Sequence, residues 1–270
     1  MRIFLAGATG AIGRRLLPLA AQAGHEVTAM VRDPARAEAV HAAGAVQVAV
    51  ADAFDAAAVR AAVGGARPDV VVHQLTDLGA ADFAANARLR IAGTRNLVDA
   101  ARAAGVEAMV AQSIAWLYAA GDAPATEADP LDPSARGFDG VAALEAAVGE
   151  LERGVVLRYG LFHGPGTWYA PDGAMAEQAR AGELTATPAW ASFVHVDDAA
   201  RAALDALGWP AGPVNVVGES VRGRDWVPAF AAAVGAPPPP VDAAAPATGR
   251  PVSAALAHAR GWRPRHRLVA

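Results

Sequence analysis

Short apolar runs alternate with longer amphipathic stretches through the first 160 residues. Arg2–Ala6, Glu26–Val31, Val46–Val50, Asp69–His73, Ala108–Gln112 and Val155–Arg158 read as strands. Between them, Ile12–Ala23, Ala56–Val63, Phe83–Ala104 and Val141–Arg153 are amphipathic or Ala-rich and read as helices. "DVVVH" and "VEAMVAQ" are apolar without alternation, as strands buried on both faces must be. Strand–helix alternation of this kind predicts an α/β chain with a parallel sheet and right-handed crossovers. After Tyr159 the rhythm changes. "YGLFHGPGTWYAPDG" reads as a loop, followed by a short helix around Ala174–Ala181. "SFVHVDDAARAALDAL" predicts a strand and a helix with Asp197 as N-cap, and "GPVNVVG" a further strand. "GRDWVPAFAAAVG" predicts a helix closed by Gly235, and "APPPPVDAAAPATGRP" a linker or surface loop. The expected organisation is a larger domain over 1–160 and a smaller part over 161–270, with about 190–207 returning to the first.

Composition narrows the chemistry. The 270 residues are 54% hydrophobic and 19% charged, which describes a folded chain. A formal net charge of −4 sets up no global field for nucleic acid or an anionic membrane, so neither is an expected partner. There is no cysteine, which excludes thiol catalysis and thiolate metal sites. The first apolar run starts at Ile3, without the charged and apolar regions of a signal peptide, and no long uncharged apolar run suggests a membrane span. A cytoplasmic location follows as the expectation. All 23 basic residues are Arg, so no mechanism here uses a lysine amine. No internal repeat stands out. No His/Asp/Glu group has ligand spacing, so no metal is expected.

"MRIFLAGATGAIGRRLL" carries the most information. A strand runs into Gly7, Gly10 and Gly13 and then directly into a helix. Gly7 permits the tight turn, Gly10 lets backbone approach a pyrophosphate, and Gly13 allows close helix–strand packing. The helix N-terminus then offers unpaired N–H groups and a positive dipole end to phosphates. Thr9 and Ile12 belong to the same loop, and Leu75 beyond the fourth strand joins the expected cofactor-binding set. At the end of the second strand, "AMVRDPAR" puts Arg32 where an NAD-selective site carries an acid, with Arg36 close behind. Asp33-Pro34 reads instead as an N-cap and first helical residue. NADP(H) is therefore favoured over NAD(H). Asp52 either accepts from the adenine amine or caps the next helix.

"GATGAIG", "DVVVHQLT", "GTRNLVDAARAAGV", "TEADPLDP", "VVLRYGLFHGPGT", "FVHVDDAARAAL", "NVVGE" and "ARGWRPRHR" follow one another in an order that resembles the extended or atypical short-chain dehydrogenase/reductases. More narrowly, the chain resembles the NAD-dependent epimerase/dehydratase family from residue 1 to about 263. The resemblance implies a Rossmann-type doubly wound parallel sheet with a small C-terminal substrate domain. It also implies a small-molecule substrate, such as a sugar, ketone, alcohol or natural-product intermediate, and it is compatible with a homodimer.

The family's chemistry uses a Ser or Thr after the fifth strand and a Tyr-x-x-x-Lys pair on one helical face. The cation's field there favours the phenolate. Ser113 in "MVAQSIAWLY" stands near the hydroxyl position, or else merely closes a strand. Counting back from Glu145 in "SARGFDGVAALEAA", the Lys position falls on Val141 and the Tyr position on Gly137. The pair is missing. Substitutes are Tyr118, which resembles the Tyr of the family's "VYG" segment, and His163, on a loop expected to face the nicotinamide. A histidine titrates near neutrality and is suited to acid/base work. Against this, His163 bonded to backbone is an equal reading. Arg90 reads as a surface helix residue, Arg136 and Asp139 as solvated, and His73 and His195 as satisfied core histidines. Trp116, Trp168, Trp190 and Tyr169 either line an aromatic pocket or simply pack. The leading expectation is an NADP(H)-dependent oxidoreductase of atypical mechanism, acting on a carbonyl or alcohol. The alternatives are a non-redox isomerase, cyclase or dehydratase, and a non-catalytic NADP(H)-binding protein.

Overall fold

The computed structural model describes residues 1–77, 82–121 and 123–268. The first half follows the predicted alternation. Strands β1 (Arg2–Ala6), β2 (Glu26–Val31), β3 (Gln47–Val50), β4 (Val70–His73) and β5 (Ala108–Ile114) are separated by helices. These are α1 (Gly13–Gln22), α2 (Ala37–Ala42), α3 (Ala56–Ala66), and α4 (Phe83–Arg88) running through a π-turn at Leu89–Gly93 into α5 (Thr94–Ala103). Next come α6 (Phe138–Val148), β6 (Arg153–Tyr159), β7 (Leu161–His163), α7 (Ala174–Arg180), β8 (Trp190–His195), α8 (Val196–Asp205), β9 (Gly212–Val216), β10 (Glu219–Arg222), α9 (Gly223–Ala233) and α10 (Ala255–Ala259).

The main sheet has seven strands in the order β3-β2-β1-β4-β5-β6-β9. Pairing is parallel from β3 through β5, with Ile3 in register with Val27 on one side and Val70 on the other. The reversal of strand order between β1 and β4 is the switch point of a doubly wound, Rossmann-type α/β fold, where such sheets open a crevice at their carboxyl ends. Strands β4 and β5 are buried at every position, as their unbroken apolar runs require. A second, three-stranded sheet pairs β8 antiparallel with β10 and parallel with β7.

Two compact units emerge. The first comprises Met1–Ser113, Pro133–Leu157 and Ala200–Pro213; the second comprises Ile114–Asp132, Arg158–Ala199 and the chain from Val214 onward. One boundary falls between Leu157 and Arg158, close to the expected break near 160; the returning segment is Ala200–Pro213 where 190–207 was expected, and Ile114–Asp132 also joins the second unit. The core of the first unit is built on Phe4, Met30, Leu97, Met109 and Leu144, all nearly or fully buried. In the second unit Tyr169, Phe193, Trp226 and Phe230 meet at 5.1–6.2 Å, edge to face except for the tilted Trp226–Phe230 pair. Tyr169 therefore packs in a core cluster.

Several local expectations are corrected. The helix expected over Val141–Arg153 ends at Val148, and Arg153 already starts β6. Asp197 lies inside the first turn of α8 rather than ahead of it. Asp55, not Asp52, caps α3, accepting from the N–H groups of Ala57 and Ala58. Among the described residues no helix is long and apolar enough to cross a membrane.

Candidate nucleotide site

The glycine loop works as its spacing predicts. Gly7 has φ +94°, and a Cβ there would lie 2.7 Å from the Gln74 carbonyl group, so only glycine lets β1 pass β4 this closely. A Cβ on Gly13 would collide with the Gly7 carbonyl, so the third glycine sets how tightly α1 follows β1. The end of α1 differs from its neighbours. Asp55 and Asp82 cap α3 and α4 with their carboxylates, each a contribution of about 1 kcal/mol. Helix α1 begins after Ile12 with no side-chain cap and no acid in its first turn. The Arg14 and Arg15 N–H groups bond the Gly10 and Ile12 carbonyls, so what this end holds out to an anion is its uncompensated positive dipole.

A cavity of about 200 Å³ lies within the first unit at this loop. Gly7, Thr9, Gly10, Arg32, Asp52 and Leu75 all line it. The sequence had put these six together across 68 positions. Ile12 and Gly13 shape the loop without lining the cavity, and Arg36 is exposed on the 3-10 turn Pro34–Arg36. Asp33 is spent on that turn, accepting from Ala35 N–H at 2.9 Å. Arg32 is therefore the charged group that the end of β2 presents to the cavity. The Asp52 carboxylate accepts from Phe54 N–H at 2.9 Å, and Phe54, 48% exposed, lines the same cavity.

Gln74, also on the lining, was not foreseen. It is 3% exposed, yet both its amide oxygen and nitrogen lack a hydrogen-bond partner among the described residues. Buried amides are almost always paired, and an orphaned one costs about 1–3 kcal/mol. A donor–acceptor pair held ready at the rim of a glycine cradle suits the ribose and phosphate oxygens of a dinucleotide. A polar residue directly after the apolar run "DVVVH" was the available sequence signal.

Under the ends of β4 and β5 lies a buried polar cluster. His73 Nδ1 accepts from Leu75 N–H, which leaves Nε2–H to donate to Thr94 Oγ1 at 2.9 Å. Complete burial, and secondarily the Arg90 charge, push its pKa down to about 4, so it is the satisfied core histidine expected. Ser113, fully buried, donates to Glu145 Oε1 at 2.7 Å. Arg90 is not a surface residue: it is 5% exposed, in the π-turn Leu89–Gly93. Arg136 is exposed, with its guanidinium 4.3 Å over the Phe83 ring, and Asp139 is exposed.

The helix that should carry a Tyr-x-x-x-Lys pair has lost more than two side chains. Gly137 sits just ahead of α6 with φ +91°, a left-handed conformation hostile to a tyrosine. Val141 is fully buried, and Gly140 packs against Ala87 so closely that a Cβ would stand 3.0 Å from that residue's Cα.

The two proposed substitutes lie in the second unit, and neither is poised for proton transfer. The Tyr118 hydroxyl donates to Asn215 Oδ1 at 2.6 Å and accepts from Arg158 at 2.8 Å. Burial raises its pKa, against the Arg158 charge. His163 is buried at the end of β7, not on a loop. Burial first, then the neighbouring His195, lowers its pKa to about 4, so it is neutral near pH 7 and cannot serve as a ready acid.

Space also assembles a group that sequence spacing hid. The ligating atoms of His195, Asp197 and His266 lie within 4.8 Å of one another. They have local work already. His195 Nδ1 accepts from Asp197 N–H, and the His195 and His266 rings stack at 4.0 Å. Asp198, fully buried, holds the backbone N–H of Arg265 and of His266 as well as the His266 ring. This cluster clamps the C-terminal segment.

Comparison with known proteins agrees with the geometry. Residues 7–145 match the model of an NAD(P)H-binding family. A 3-diazoavenalumate denitrifying reductase from a Streptomyces species is 44% identical over 290 residues, covering all of this chain and 90% of the relative. The chain belongs to the NAD(P)H-binding family. Its short-chain dehydrogenase/reductase character extends to solved structures. UDP-glucose 4-epimerase of Thermus thermophilus in complex with NAD superposes with a TM-score of 0.79 at 26% identity, covering 99% of this chain and 95% of that one. The Bordetella bronchiseptica enzyme WbmG, in complex with NAD and UDP, gives 0.80 at 22% identity, with coverage of 99% and 91%, a likeness of fold. This member of the NAD(P)H-binding family is thus an NAD(P)-dependent enzyme of the oxidoreductase or epimerase-like kind.

Proposed function

We propose that the protein is an NADP(H)-dependent reductase that removes nitrogen from a diazonium-bearing organic acid. One observation carries this reading: a reductase scaffold 44% identical to a denitrifying reductase has no Tyr/Lys proton-transfer pair, with Gly137 and Val141 in its place. Reduction of a carbonyl needs a hydride and a proton, so a reductase of that type needs an acid. A diazonium carbon needs only the hydride. R–N₂⁺ and H⁻ give R–H and N₂: a C–H bond forms, the C–N bond breaks, and its electron pair leaves with N₂. Charge balances without a proton donor. A dihydronicotinamide held by the glycine loop would supply that hydride.

The residues of this chain bind and orient. The uncapped start of α1 and Gly10 take the pyrophosphate, with Thr9 and Ile12 completing the loop and Gly13 setting the packing. Arg32, on the cavity lining, would take a 2′-phosphate, with Arg36 four residues on as a second candidate, which supports NADP(H) over NAD(H). Asp52 and Leu75 flank the adenine and ribose, and Gln74 bonds a sugar or phosphate oxygen. Ser113, braced by Glu145, helps shape the reaction site, and Tyr118 and His163 are supporting groups rather than acids. The setting is cytoplasmic, with a small-molecule substrate and no membrane or nucleic-acid partner.

The test uses diazotised 4-aminobenzoate with NADPH. Oxidation of one NADPH for each N₂ released, giving benzoate with deuterium on the ring when [4-²H]NADPH is used, is the expected result. N₂ release without NADPH oxidation, or no turnover of any diazonium acid, would sink the reading.

A further inference from the structure

Arg90 is a charge in the wrong place for a structural residue. Only 5% of it is exposed, and its guanidinium makes no hydrogen bond or ion pair with any described residue. A buried guanidinium brings five N–H donors and a full charge, and such groups are nearly always paired. Burial lowers its pKa to about 10, opposed by the field of Glu145, so it stays cationic at neutral pH. Glu145 is itself bonded by Ser113.

Its place in the fold says what it faces. Thr94, four residues further along the same helical run, bonds His73 at the last position of β4. Arg90 therefore stands about one helical turn, roughly 5 Å, beyond the carboxyl end of that strand. Ligands of open α/β sheets bind at this edge. The π-turn at Leu89–Gly93 that carries Arg90 is a distortion often found at functional sites. The anionic groups of a dinucleotide have matches elsewhere, at the start of α1 and at Arg32. A second anion is missing from the account.

We propose that Arg90 anchors the carboxylate of the organic-acid substrate, holding it by a bidentate bond so that the reacting carbon is positioned at the nicotinamide. This rests on the reductive denitrification proposed above, and it names the group on the substrate that the site recognises. Guanidinium–carboxylate pairing is planar and two-pronged, which fixes direction as well as place. The relative's substrate name joins a carboxylate to a diazo group, and protonation of such a group by solvent before binding gives the diazonium form that the step above consumes.

The test is calorimetric and independent of turnover. Cinnamate and cinnamamide are titrated into the NADPH-saturated wild type, into Arg90→Met and into Arg90→Gln. The wild type should prefer the carboxylate by about tenfold or more, as a charge-assisted pair requires. Both variants should lose that preference, while NADPH affinity stays within about twofold. Arg90→Met should also melt close to the wild type, because the guanidinium it removes bonds no described residue and only the longer-range field on Glu145 is lost. A purely structural arginine would give the opposite melting result. Should Arg90→Met fail to fold, that failure together with an unchanged carboxylate preference in Arg90→Gln would overturn the proposal. Equal wild-type affinity for acid and amide would overturn it too. A tenfold loss of NADPH affinity with carboxylate preference intact would reassign the guanidinium to the cofactor. If the wild type prefers cinnamate but reduces no diazonium acid, the reaction falls and the anchor stands.

Discussion

Two buried polar regions of this molecule are built on opposite terms. In the second unit Tyr118, Arg158, Asn215 and Glu127 close on one another. The tyrosine both gives and accepts, while Asn215 accepts from it, donates to Ser253 O, and offers its own N–H to Glu127. In the first unit Gln74 and Arg90 are just as deeply buried, and neither side chain makes a hydrogen bond to a described residue. A closed network stabilises a fold and offers a ligand nothing. An open one weakens the unliganded fold and waits for a partner. The chemistry of the side chains does not separate the two regions, since the conspicuous tyrosine is in the closed one. Satisfaction of their hydrogen bonds does.

The contrast can be broken by substitution. The largest effect is expected from Gly13→Val, whose side chain collides with the Gly7 carbonyl. Displacing α1 by overpacking costs about 3 kcal/mol, so NADPH binding should fall by about a hundredfold in a fluorescence titration. Retained affinity would show that the loop is not the phosphate site. Next comes Tyr118→Phe, which strands Arg158 and Asn215 in a buried setting. Urea unfolding should show a loss of about 1–3 kcal/mol. An unaltered midpoint would mean that the network is not closed after all.

Gln74→Met gives the opposite signature. It should leave the unfolding midpoint unchanged or higher, while NADPH affinity drops about tenfold. A stability loss like that of Tyr118→Phe would erase the distinction between the regions. Arg32→Ala should be narrower still, weakening NADPH about tenfold and NADH hardly at all. Equal losses for the two cofactors would remove the case for NADP(H).

Near neutral pH the smallest effect belongs to the histidines. His73 and His163 have pKa values lowered to about 4 from the ordinary 6.5. The unfolded chain therefore takes up protons at a pH where the folded one does not. Their contribution to stability is complete above about pH 6.5 and is lost as pH falls through 6.5 towards 4. His163→Phe should flatten part of that fall in pH-dependent urea titrations and leave the rate profile between pH 6 and 8 unchanged. An inflection in that profile which vanishes in the variant would restore His163 as a proton-transfer group.

The sequence by itself determined the parallel sheet, the glycine loop and the cofactor class, because each follows from local periodicity or from a backbone conformation that glycine alone adopts easily. Arg32 and Asp52 were legible for the same reason: strand ends in this alternation fall at one edge of the sheet. The absence of lysine, and with it of the usual proton-transfer pair, could be read without any coordinates. What only the tertiary structure decided is which polar groups have partners. Arg90 looked like a solvated helix residue until the packing around the π-turn buried it, and nothing near Tyr118 in the chain shows that Arg158 and Asn215, 40 and 97 residues away, take both sides of its hydroxyl. Hydrogen-bond satisfaction depends on atoms distant in the chain, so no window of sequence contains it.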